Sequence, residues 1–215
     1  MDYKRTKNQG GIFEYFKFDK SAFKFNLSTW ILIVSNLLVI YLAIKEHWSL
    51  SVILIVYWGQ SVIIGFFNFI KILNLKNFST ENFRINHRPV EPTERTKIFT
   101  AFFFAFHYGI FHLVYIIFLI SFFFKELDFT NMAFIIFSIS LFFINHFISF
   151  RYNKKEDANK KHNIGKVMFF PYARIVPMHL MIVFGLALVH TSEALIFFLV
   201  LKTIADLIMH QIEHA

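Results

Sequence analysis

Apolar residues gather into six long runs along the chain, approximately Leu27–Ile44, Ser49–Leu73, Ile98–Phe124, Thr130–Phe150, Lys166–His190 and Ala194–His214. A helix rises about 1.5 Å per residue, so about 20 residues cross the roughly 30 Å of hydrocarbon in a bilayer. Most of the runs reach that length, and the first is near the minimum. The fifth is the least regular, because it holds Pro171, Arg174 and Pro177; a kink or break at Pro171 or Pro177 is expected there. The pattern predicts an all-α integral membrane bundle of six transmembrane helices over residues 27–215. Residues 1–26 form a separate segment. Its stretch Phe13–Phe25 alternates aromatics with Lys and Asp, which suits a strip lying on an anionic leaflet.

Composition agrees with the runs. Only 17% of the residues are charged and 32 are Phe. A soluble domain carries roughly 25% charged residues, and so many phenylalanines exceed what its core would hold. There is no cysteine, which excludes disulfides and thiolate metal sites. No short apolar run with a small-residue cleavage site stands at the N-terminus, so the first span is expected to act as its own insertion signal.

The net charge of +8 is distributed unevenly. Lys and Arg number six before the first run (Lys4, Arg5, Lys7, Lys17, Lys20 and Lys24) and one, Lys45, after it. Six follow the second run, one (Lys125) the third, six the fourth and none the fifth, counting Lys71, Arg151 and Lys166 at the edges. The alternation obeys the positive-inside rule and predicts a cytoplasmic-membrane protein with both termini in the cytoplasm. It also accounts for the basic excess without nucleic acid as a partner.

Ionisable residues inside a bilayer are costly and face a bundle interior or a cavity. Counted from the loops, His107 lies about 13 Å from the cytoplasmic side, His146 about 6 Å, Arg174 and Asp206 about 12 Å and His210 about 6 Å. Asn68 is at a similar level. A shared polar pocket in the cytoplasmic half of the membrane is therefore expected.

Asp206, His210 and His214 follow one another at i, i+4, i+8, on one helix stripe. Two His one turn apart suit Zn²⁺ or another divalent metal, with His146 or His107 as a third ligand from another helix. Asp206 would then be a ligand, a ligand's partner or a general base. The plainer reading leaves Glu213 and His214 in a polar tail at the interface. Arg174 also has two readings: an ion pair with Asp206 that fixes helix packing, or an anchor for a carboxylate or phosphate. Lys202, in mid-span, also needs a partner.

Several stretches carry a family resemblance: Tyr57–Leu73 (YWGQSVIIGFFNFIKIL), Phe106–Tyr115 (FHYGIFHLVY), Asn145–Asn153 (NHFISFRYN), Pro171–Gly185 (PYARIVPMHLMIVFG) and Lys202–His214 (KTIADLIMHQIEH). Together they resemble a prokaryotic multi-pass membrane family of unknown function, which implies the fold but no activity. His210-x3-His214 with Asp206 is similar in site type to membrane metallohydrolases such as alkaline ceramidases and adiponectin-receptor-like proteins. Those have seven spans and a Ser four residues before a third His; here there are six runs, and Phe142 precedes His146 by four.

Four functional expectations follow. One is a metal-dependent membrane hydrolase of a lipid-like or amphiphilic substrate, with His210, His214 and His146 or His107 on the metal and Asp206 and Arg174 as catalytic groups. The second is a small-solute or proton-coupled transporter or channel using Asp206, Arg174 and His146. The third is a haem-binding cytochrome, and the fourth an assembly scaffold. Membrane lipids are expected partners, and a homo-oligomer is compatible with the sequence.

Overall fold

The structure, a computed structural model, describes residues 49–85, 88–123, 129–185 and 192–213, with scattered positions between Trp30 and His47. Side chains at 122–123, 129–131, 145, 149, 152–159, 182–185, 192 and 210–213 lie outside that description. The segment 1–26 and most of the first apolar run therefore fall outside the described residues.

In chain order the elements are α1 (Leu50–Asn74), β1 (Phe78–Ser79), β2 (Arg84–Ile85), β3 (Arg88–Pro89), α2 (Glu94–Phe123) and α3 (Phe129–Asn159). There follow β4 (His162–Asn163), α4 (Ile164–Phe169), a 3-10 turn (Phe170–Arg174), α5 (Ile175–Gly185) and α6 (Ser192–Glu213). The protein is thus mostly helical, and the described residues include four two-residue strands, all in the polar connections.

Among the described residues two stretches, Leu50–Asn74 and Glu94–Ser121, are long and apolar enough to cross a membrane. The expectation of six such helices is not met among the described residues, and the reasons differ from run to run. The first run is mostly outside them. In α3 the uniformly apolar part is the shorter Met132–Ile148, and the helix continues into the charged stretch to Asn159. The fifth run is divided into α4, the 3-10 turn and α5. In α6 the apolar course is interrupted by Lys202 and Asp206.

The division of the fifth run locates the break. Pro171 sits in the first two positions of the 3-10 turn, where a missing N–H costs little. Pro177 breaks nothing: it stands in the first turn of α5, whose amide groups have no partner within the helix in any case. The expected interruption therefore occurs at Pro171 and not at Pro177.

The other elements pack around α1. Of its apolar stretch 61% is buried, against 28% for that of α2. Small residues let the neighbours approach. A methyl on Gly65 would stand 2.7 Å from a ring carbon of Tyr108 on α2, and one on Gly59 would stand 2.9 Å from Ile139 Cγ1 on α3. The core around this axis includes Tyr57, Ile72, Phe104, Ile164, Phe198 and Leu199, all almost fully buried.

The outward faces of α2 and α3 are apolar as well. Phe99, Phe102, Phe106, Ile110, Leu113 and Ile117 on α2 are exposed, at steps of three or four residues. Phe137, Leu141, Ile144 and Ile148 repeat the pattern on α3.

The polar connections are fastened to the bundle. The strands β1 and β4 pair in parallel, Phe78 with His162 and Ser79 with Asn163; β2 and β3 pair antiparallel. Asn163 caps α4 by accepting from the Lys166 amide at 3.1 Å, while its Nδ2 donates to the Glu81 carbonyl. The Thr93 hydroxyl caps α2 through the Thr96 amide. Lys97 donates to the Leu75 carbonyl at 3.1 Å and pairs with Glu94. Asn68 donates to the Val167 carbonyl at 3.0 Å, which ties α1 to α4. These bonds hold in place the segment that leads into the break.

Candidate functional site: a charged cluster at a helix break

The 3-10 turn ends on Arg174, which is 8% exposed. Tyr57 of α1 holds this residue at both ends. Its hydroxyl donates to the Arg174 carbonyl at 3.1 Å, and the guanidinium lies over its ring, 4.8 Å from the centroid. A cation over an aromatic face is attracted by the ring quadrupole, by up to about 2 kcal/mol when desolvated. Phe198 on α6 meets Tyr57 in a T-shaped contact, with ring centroids 5.2 Å apart.

Asp206 of α6 meets Arg174 Nη1 at 3.6 Å, so the expected ion pair is present. It is not the shorter of the two that Asp206 makes. Lys202, one turn earlier on the same helix, places Nζ 2.6 Å from Asp206 Oδ2. Lys202 also donates to Asn36 Oδ1 at 3.1 Å, which brings a residue of the first apolar run to the cluster. Side-chain exposures of 10% for Arg174, 21% for Lys202 and 13% for Asp206 leave little water to screen the charges.

One carboxylate thus faces two cations. Arg174 Nε is buried and has no hydrogen-bond partner among the described residues. A planar guanidinium with an unused donor is suited to a carboxylate or phosphate.

The histidines are dispersed. His107 Nδ1 is 2.8 Å from the Tyr172 hydroxyl, and its ring stacks on Phe103. His146 rests against Phe67 of α1 and stacks on Phe142 of its own helix. These positions belong to α2 and α3, which meet α1 at Gly65 and Gly59, about 120° apart around the helix. His107 and His146 are therefore not brought together.

The side chain of His210 and the whole of His214 lie outside the described residues, as do the side chains of Glu213, Ser149 and Asn153. Among the described residues no three His, Cys, Asp or Glu side chains converge as a metal would require. His179 lies near the Tyr115 ring, 6.5 Å between centroids, away from the charged cluster.

Sequence reasoning had singled out Arg174, Asp206 and Lys202 but missed Tyr57 and Asn36. Tyr57 carried a usable signal. In a chain with 32 Phe and 8 Tyr, a Tyr within an apolar run is a candidate for a place where a hydroxyl is used. Tyr108 shows the same: its hydroxyl lies 2.7 Å from Ser61 Oγ. Asn36 had no signal beyond being a polar residue in an apolar run.

Neither a curated protein nor a solved structure matches this chain. A family model does match, over residues 19–215, and so takes in the first apolar run together with the five others. The chain belongs to that family, described as a family of unknown function (DUF6498).

Proposed function

We propose that this chain is a six-span protein of the cytoplasmic membrane, and that Arg174, Lys202 and Asp206 form a binding site for the anionic group of a small solute that it carries. The observation that bears the proposal is the charge balance of the cluster. Among the described residues, buried Arg174 and part-buried Lys202 share one carboxylate at the point where a helix is interrupted. Uncompensated charge away from water is costly, and an anion entering the cluster would relieve it. Irregular backbone at depth is tolerated where it lines a cavity, and interrupted helices recur at solute sites in transporters.

The six-span reading draws support from the exposed apolar faces of α2 and α3. Apolar surfaces that large are rare on soluble monomers. The alternation of basic loops orients the bundle with its termini in the cytoplasm. In that orientation the cluster lies in the cytoplasmic half of the membrane.

Flux into liposomes containing the purified protein tests the reading, with a panel of small carboxylates and inorganic phosphate as probes. Transport of at least one is expected, with a tenfold or greater loss in Arg174→Gln. Absence of flux across the panel, or equal flux in a folded Arg174→Gln protein, would overturn it.

A second reading, a metal-dependent membrane hydrolase, keeps one observation in its favour. The helix α6 is continuous through Glu213, which sets Asp206 and His210 one turn apart on a common face. The described residues alone do not make a metal site; such a site would need His210 and His214. Zinc content near one per chain, lost in His210→Ala, would favour this reading over transport.

A further inference from the structure

A groove of about 590 Å³ lies between α1 and α3, away from the charged cluster. Its walls are aromatic: Phe66 and Phe67 from α1, and Phe143, Phe147 and Phe150 from α3. Phe67 is the buried floor, in ring contact with Phe143, Phe147 and Phe150. Phe66, Phe143 and Phe147 are each more than two-fifths exposed, so the groove is open along its length. The volume is in the range of small-ligand sites, about 300–1,000 Å³.

One end is different in kind. Arg151, one residue beyond Phe150, lines the groove with its guanidinium 5.8 Å from the Phe147 ring centroid. Among the described residues no acidic side chain lines it. From Phe143 to Arg151 the helix advances about 12 Å, so a ligand here meets an apolar channel closed by one cation. With the termini in the cytoplasm, Arg151 stands where α3 leaves the membrane on the cytoplasmic side.

We propose that this groove binds one anionic phospholipid of the cytoplasmic leaflet, with an acyl chain along the phenylalanines and its phosphate at Arg151. Charge and polarity match the two parts of such a lipid in the order and spacing in which it presents them. Basic groups at this leaflet attract anionic headgroups. A second copy of the chain seated symmetrically on the groove would bring a second Arg151 toward the same rim, and like charges oppose that arrangement.

The inference rests on the membrane reading above but not on the Arg174 cluster. The test is native mass spectrometry of the full chain extracted in mild detergent and offered phosphatidylglycerol and phosphatidylcholine of matched chains in equal amounts. One retained lipid per chain is expected, with phosphatidylglycerol favoured about fivefold, the effect of one basic group at a membrane surface. Arg151→Gln should abolish the preference and leave phosphatidylcholine retention unchanged. Ile70 of α1 also lines the groove, and Ile70→Trp, which fills it, should remove both lipids while helix content by circular dichroism stays constant. A preference that survives Arg151→Gln overturns the proposal, as does unchanged retention in Ile70→Trp or a dimer that sheds lipid as it forms. Recovery of the chain in the soluble fraction would instead overturn the membrane reading itself.

Discussion

Two buried polar clusters flank α1, and they are built on opposite principles. On the side facing α2, Tyr108 donates to the Ser61 carbonyl at 3.1 Å while its hydroxyl also meets Ser61 Oγ. The His112 Nδ1 lies 2.9 Å from the Tyr108 carbonyl, and Trp58 Nε1 donates to the His112 carbonyl at 2.9 Å. Its hydroxyl, indole and imidazole groups are uncharged or paired with backbone. At the helix break, by contrast, Arg174 and Lys202 share Asp206, and Arg174 Nε is left over among the described residues. The first cluster closes its own hydrogen bonds and so serves as interhelical glue. Among the described residues the second is left with a charge and a donor in excess, which makes it the better candidate for a ligand. Burial alone does not separate the two; donor and acceptor balance does.

The comparison breaks most directly at Asp206. Asp206→Ala would leave buried Arg174 and part-buried Lys202 with no carboxylate among the described residues, and breaking a buried ion pair costs roughly 3–5 kcal/mol. A correspondingly large fall in denaturation midpoint is expected in mild detergent, followed by circular dichroism. Added acetate should recover part of it by standing in for the missing carboxylate. A loss below about 1 kcal/mol would mean that the charges are solvated and that the two clusters do not differ as described.

A smaller effect should arise on the neutral side. In Gly65→Ala the new methyl would meet a Tyr108 ring that is buried and tethered to Ser61, and so has little room to give. Overpacking of this kind costs about 1–3 kcal/mol. Thermal denaturation should register that loss, and acetate should recover none of it. Recovery by acetate in both variants would show that the anion acts nonspecifically, and the distinction between the clusters would be lost.

Much of this organisation was legible before the coordinates, though unevenly. The second apolar run matches α1 to within one residue at each end, and the third matches α2 at its C-terminal end but starts four residues late. Uninterrupted apolar stretches of that length favour a backbone that satisfies its own hydrogen bonds. The Arg174–Asp206 pair was legible from depth alone, since charges at one level in an apolar bundle seek each other. The closer Lys202–Asp206 contact was not, although the two residues stand at i, i+4 in the sequence. Depth arithmetic ranks levels and not side-chain reach. The position of the break could not be chosen between Pro171 and Pro177, because the cost of a proline depends on whether its amide would have been bonded, and that depends on where the helix starts. His107 and His146 were expected at one site because they share a slab. A slab has no azimuth, and the two residues belong to helices that meet α1 on different faces.

The smallest expected effect tests the bookkeeping itself. Tyr115 on α2 is 2% exposed, and its hydroxyl has no hydrogen-bond partner among the described residues. It lies between the two clusters in character: neutral like the first, with a polar atom left over like the second. A buried hydroxyl without a partner carries a desolvation penalty, and removing it can be neutral or stabilising. Tyr115→Phe is therefore expected to change stability by about 0 to +1 kcal/mol and to leave solute flux unaltered. A destabilisation above about 1 kcal/mol would place a partner for this hydroxyl among residues outside the described set. Such a partner would move Tyr115 into the closed, gluing class. A loss of flux without loss of stability would move it into the other class, and the ligand site would then extend from the break along α2 toward His179.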